Sequence, residues 1–111
     1  MTLDEARSVA LGLPETAEAP HFHYTSFRVA GKIFLTAPPE GTHLHCFVDE
    51  PTRELALAAV PECCEALWWG ERVAGLRVAL SDAPDQELRH WIHSAWRHKA
   101  PKRLLKQAQG G

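Results

Sequence analysis

The chain has 111 residues with 45% hydrophobic content, a size and composition that suit one two-layer core and exclude a disordered chain. No apolar run approaches the roughly 18 to 20 residues that span a bilayer, and the N-terminus shows no basic n-region or apolar h-region, so neither a membrane span nor a signal peptide is expected. The formal net charge of −2 hides an asymmetry: residues 1–88 carry all fourteen acids against six bases, and the last 23 residues carry six bases and no acid.

Thr2-Leu3-Asp4-Glu5 is a capping box, and Leu3, Ala6, Val9, Ala10 and Leu13 recur at helical spacing. A first helix is therefore expected over residues 3–13, ended by Gly12 and Pro14. Residues 14–21 read as a connecting loop. Ser26–Val29, Ala30-Gly31 and Lys32–Thr36 read as a hairpin whose turn uses Gly31 for positive φ. Pro38–Gly41 is a second turn, and His43–Val48 alternates as a third strand. Consecutive strands with short turns imply an antiparallel meander.

Asp49 caps a second helix expected over residues 51–59, with Pro51 in its first turn and Pro61 as its stop. Cys63–Trp69 fits either a fourth strand or a loop. Gly70 and Gly75 are expected to flank a turn before a strand at Leu76–Leu80. Asp82 is expected to cap the last helix, with Pro84 in its first turn. Leu88, Ile92, Ala95 and Trp96 make its apolar stripe, and Pro101 breaks it near Lys99-Ala100, before a short basic turn. The expected fold class is α+β: a two-layer domain over residues 1–111, with an antiparallel sheet of about five strands backed by helices in the order α-β-β-β-α-β-β-α.

The chemistry-bearing residues do not form a known catalytic pattern. His21/His23, His43/His45 and His90/His93 pair on separate elements, and neither His-Glu-x-x-His nor Cys-x-x-Cys occurs, so no metal is expected. Ser26 and Ser81 lie in no nucleophile elbow, and no glycine-rich phosphate loop is present. Cys46, Cys63 and Cys64 read as small buried hydrophobes. Free thiols point to a reducing compartment, with the cytoplasm as the expected location. No cofactor is expected.

Two surfaces remain as binding candidates. Arg28, Lys32, Arg97, Lys99, Lys102 and Arg103 form a candidate patch for phosphates, the first two at a hairpin tip and the rest in the basic C-terminal stretch. The alternative for that stretch is docking on the chain's own acidic body. The second surface is His21, His23, Trp68 and Trp69, a candidate for a small ligand or a protein partner. Adjacent tryptophans on a strand point to opposite faces, so at least one indole is expected near solvent.

The segment Ala19-Pro-His-Phe-His-Tyr-Thr-Ser-Phe-Arg-Val-Ala-Gly-Lys-Ile-Phe-Leu-Thr36 resembles the signature of the MmcQ/YjbR family. Trp69-Gly70, Leu76–Leu80, Glu87-Leu88 and Ala95–Leu104 resemble its later blocks in the same order. The likeness implies a CyaY-like or secretion-chaperone-like α+β fold and association with DNA through a double wing of sheet and loops. It implies no catalytic residues, so a non-catalytic role is favoured; an enzyme is the third choice, which a cleft holding His21 or His23 beside Arg28 and a thiol would revive. His23-Tyr24-Thr25 stands where the family pattern has an arginine, which removes one phosphate contact. The CyaY likeness also raises iron, but Asp4, Glu5, Glu15 and Glu18 are too sparse for an acidic ridge. The leading expectation is a DNA-binding module acting through phosphate contacts. The alternative is a protein-interaction or small-ligand module with a Trp-lined surface. The chain is expected to be a monomer or a weak dimer.

Overall fold

A computed structural model describes residues 1–110; Gly111, the last residue of the expected domain, lies outside the described residues. Helix α1 spans Leu3–Leu11. Thr2 Oγ1 accepts from the Glu5 amide at 3.1 Å, and the Thr2 amide donates to Glu5 Oε1 at 3.0 Å, so the capping box closes both ways. The helix stops two residues before the expected end. Gly12 closes it by donating to Ser8 O, and Pro14 has no N–H to continue it.

The segment expected to be a loop is a strand: β1 spans Thr16–His21. It lies at the sheet edge, where Pro20 is tolerated, and pairs antiparallel with β2, Tyr24–Val29. Pairing with β2 overrides the weak strand propensity of Ala17, Glu18 and Ala19. Strand β3 spans Lys32–Ala37. Ala30 and Gly31 both take positive φ, 48° and 86°, the geometry that a two-residue hairpin turn requires. Between Phe27 and Arg28 the register shifts by one residue. That bulge lets Phe34 and Leu35 both bury fully, while Ile33 joins Thr36 on the opposite face.

Strand β4 is His43–Cys46, and α2 is Glu50–Ala59, capped by Asp49 Oδ1 on the Thr52 amide at 3.1 Å. The ambiguous Cys63–Trp69 segment is strand β5, Cys64–Trp69. Strand β6 runs Arg72–Ala79, so Gly75 lies inside a strand rather than at a turn. A Cβ at Gly75 would meet Cys46 O at 2.7 Å, which explains why only glycine fits where β4 crowds β6. Helix α3 spans Asp85–Lys99 with Pro84 at its cap position and no side-chain cap bond. Asp82 thus does not cap it; its N–H closes the preceding turn onto Ala79 O. Pro101 ends α3, and α4 follows as Lys102–Gly110.

The six strands form one antiparallel sheet in the order β1-β2-β3-β4-β6-β5, one strand more than expected. Residues that face one another across the strands share a face of the sheet. Phe27, Leu35, Cys46 and Leu76 are in register and fully or almost fully buried. This apolar row belongs to the core, which α1 and α3 complete with Ala6, Ala10, Leu88, Ile92 and Ala95. Trp96 is buried there as its spacing predicts, and its indole N–H donates to Pro14 O at 3.0 Å. Burying each of these large side chains stabilises the fold by roughly 1.5 to 3 kcal/mol.

Candidate functional site

One residue along each strand, the sheet presents a polar row on its other face. Ser26, Thr36, His45, Arg77 and Glu65 are in register across β2, β3, β4, β6 and β5. Glu65 Oε1 accepts from Arg77 Nε at 2.8 Å. Arg77 Nη1 lies 2.9 Å from His45 Nε2, and His45 Nδ1 lies 3.3 Å from Thr36 Oγ1. Ser26 Oγ donates to Ala19 O at 2.8 Å and accepts from Arg28 Nε at 3.2 Å. Thr36 and His45 are each only 5% exposed, although they belong to the face without the core. Burial is the main force that lowers the His45 pKa to about 4, and the positive charge of Arg77 adds to it. His45 is therefore a neutral imidazole near pH 7.

Two members of this row, Thr36 and His45, lie in the floor of a groove. A twisted sheet lifts its diagonally opposite corners to the same side. The β1–β2 turn lies at the end of the sheet near Ala37 and His43, and the β5–β6 turn lies at the other end. These two turns are such corners. They face each other across a cavity of about 470 Å³, within the range of small-molecule sites. One wall is His21, Phe22, His23 and Tyr24, and the other is Leu67, Trp68, Trp69 and Arg72. Ile33, Thr36, His45, Phe47 and Ala74 lie between them, and Lys99 reaches in from the end of α3.

The lining is aromatic and lacks acids. Phe22, Tyr24, Phe47, Trp68 and Trp69 all contribute, with Arg72 and Lys99 as the cations and no carboxylate. Phe22 is 91% exposed, Trp68 59% and Trp69 62%, which is unusual for such large apolar side chains. The Phe47 and Trp69 rings lie 5.3 Å apart and tilted, and the Tyr24 ring lies 6.0 Å from that of His45. Instead of diverging to opposite faces, Trp68 and Trp69 line the same groove beside a bulge between Leu67 and Trp68.

The structure thus gathers His21, His23, Trp68 and Trp69 at one site. It does not gather the six candidate phosphate ligands. Lys99 lines the groove, whereas Arg28 is held by Ser26 on the sheet. Lys32, Arg97 and Lys102 are exposed elsewhere on the surface. Arg103 grips both carboxylate oxygens of Glu15, at 2.5 and 2.8 Å, and holds that carboxyl below its usual range. At this contact the basic stretch does dock on the acidic body.

Cys46, Cys63 and Cys64 are free and buried. Burial raises the thiol pKa of Cys46 far above its ordinary value and pushes that of Cys64 up to about 12, so neither is a thiolate nucleophile at neutral pH. Among the described residues, no group of three or more His, Cys, Asp or Glu side chains is placed to hold a metal ion. No described helix is long and apolar enough to cross a membrane. Sequence reasoning missed Thr36, His45 and Arg72 as groove residues. The alternation of His43-Leu44-His45-Cys46 signalled a shared face, but only cross-strand register joins His45 to Arg77, 32 positions away.

The family description YjbR matches residues 11–98, and the chain belongs to that family. The crystal structure of the Deinococcus radiodurans protein DR2400, whose domain is described as DUF419, is similar, with a TM-score of 0.71 and 20% identity over 86% of this chain and 75% of that one. At that identity the likeness speaks for the fold alone. None of the curated proteins matches the chain.

Proposed function

For this YjbR-family chain we propose a non-catalytic binding module for single-stranded nucleic acid, taken up in the groove between the β1–β2 and β5–β6 turns. Bases stack on Phe22, Trp68 and Trp69, and Arg72 and Lys99 meet phosphates. The observation that carries this reading is the groove lining: exposed aromatic faces beside two cations, without a carboxylate. Stacking on an aromatic side chain contributes about 1 to 3 kcal/mol per base, and any base offers a π-face for it. A single strand exposes those faces, whereas duplex DNA keeps them inside its stack. Arg28, Lys32, Arg97 and Lys102 enter the reading as outlying phosphate contacts; Arg103 is engaged by Glu15.

The exposed aromatics alone would also suit a protein partner. The lining offers Arg72 and Lys99 with no acid among its residues, Glu71 of the β5–β6 turn lying outside it, and this favours a polyanion. Fluorescence anisotropy of labelled single-stranded and duplex DNA, at about 50 and 200 mM salt, tests the proposal. The expected result is single-strand binding that weakens with salt and is lost in Trp68→Ala/Trp69→Ala. Equal affinity of that variant and the wild type would remove the groove from the account. A concentration-dependent homodimer that buries both indoles and binds no DNA would favour the protein-partner reading.

A further inference from the structure

We propose that Thr36 is the groove's specificity-determining hydrogen-bond donor, and that it selects bases bearing an exocyclic carbonyl, such as thymine, over bases whose only exocyclic group is an amine, such as adenine. This deepens the single-stranded nucleic-acid reading of the same groove and rests on it.

Arg77 sets the direction of the hydrogen-bond chain. A guanidinium has donors and no acceptor. Its Nη1 sits 2.9 Å from His45 Nε2, so that ring nitrogen must accept. An imidazole that accepts at Nε2 carries its proton on Nδ1. Nδ1 lies 3.3 Å from Thr36 Oγ1, so the ring donates there and the hydroxyl oxygen accepts. Glu65 steadies the chain from its other end by accepting from Arg77 Nε at 2.8 Å. Donation therefore runs one way, from Arg77 through His45 to Thr36, and each bond strengthens the next donor.

The Thr36 hydroxyl proton is left over. Among the described residues it has no protein acceptor. Thr36 lines the groove and is 5% exposed, so it is recessed in the floor. Only an atom projecting from a flat ring reaches such a recess. A projecting carbonyl oxygen accepts the waiting proton. A projecting amine could use the remaining lone pair on Oγ1, but it would leave the proton unpaired. A site built to donate discriminates against the analogue that cannot accept.

The test compares labelled oligo(dT) and oligo(dA) by anisotropy with wild type, Thr36→Val and Thr36→Ser. Wild type is expected to prefer oligo(dT). Thr36→Val should lose roughly five- to tenfold in oligo(dT) affinity, with oligo(dA) affinity changed by less than about twofold. Thr36→Ser should restore the preference. Equal losses on both oligonucleotides would mean that Thr36 only supports the fold, and would overturn the proposal. Equal binding of both, unmoved by Thr36→Val, would overturn the selectivity and leave the nucleic-acid reading standing. Binding of neither would remove that reading and the selectivity with it. Nitrogen-15 NMR of the wild type gives a check independent of ligand: the His45 proton is expected on Nδ1 at neutral pH, and finding it on Nε2 would overturn the donor chain.

Discussion

The two rows that cross the sheet are one residue apart on each strand. Phe27, Leu35, Cys46 and Leu76 face the core; Ser26, Thr36, His45 and Arg77 face away from it. The first row holds the sheet by burial of apolar area. The second is joined by hydrogen bonds from Arg77 through His45 to Thr36, and Thr36 and His45 line the floor of a groove. Strand alternation thus separates the core face from the face proposed for recognition within the same backbone. Changes in the first row should unfold the protein, and changes around the second should alter binding or pH response while the fold persists.

The largest effect should come from Leu35→Ala, because Leu35 is fully buried in the apolar row. A loss of about 2 to 5 kcal/mol is expected in urea denaturation. A loss near zero would break the comparison. Next comes acid. His45 is held at about 4 in the fold against an ordinary value near 6.5, so the unfolded chain binds more protons between those values. The contribution is fully present above about pH 6.5 and is lost as pH falls through about 4, by on the order of 3 kcal/mol at most. The same titration on His45→Gln should show a flatter dependence; an unchanged slope would assign the acid sensitivity elsewhere.

Trp68→Ala and Trp69→Ala should shift stability by no more than about 0.5 kcal/mol, since both indoles face solvent. Each should nonetheless weaken single-strand binding by roughly fivefold or more. Thermal melts beside anisotropy separate the two quantities, and a stability loss as large as that of Leu35→Ala would make these indoles part of the core. Smallest of all should be Arg103→Ala. Its pair with Glu15 is solvated, so any lowering of Tm should vanish in high salt. A salt-independent drop would give this contact a larger role in the fold.

Much of the fold is legible in the sequence because its signals are local. The capping box at Thr2, the Ala30-Gly31 turn and the stripe through Leu88, Ile92 and Trp96 each fix an element within a few residues. Strand β1 is not legible, because Thr16–Pro20 becomes a strand only by pairing with β2. Gly75 looks like a turn glycine until Cys46 O is seen against it. Asp82 looks like a cap, but the chain closes a turn before α3 begins at Asp85. The groove is only half legible. His21, His23, Trp68 and Trp69 stand out by type, and their meeting depends on the twist of the whole sheet. Thr36 and His45 look like ordinary strand residues until register sets them beside Arg77.

The most direct test of the account is a titration of labelled single-stranded DNA against wild type and Trp68→Ala/Trp69→Ala at low salt, with the urea midpoint of both proteins measured alongside. Wild-type binding, at least roughly tenfold weaker binding by the double variant, and matching urea midpoints are expected. Undiminished binding by an intact double variant, or no binding by the wild type, would contradict it.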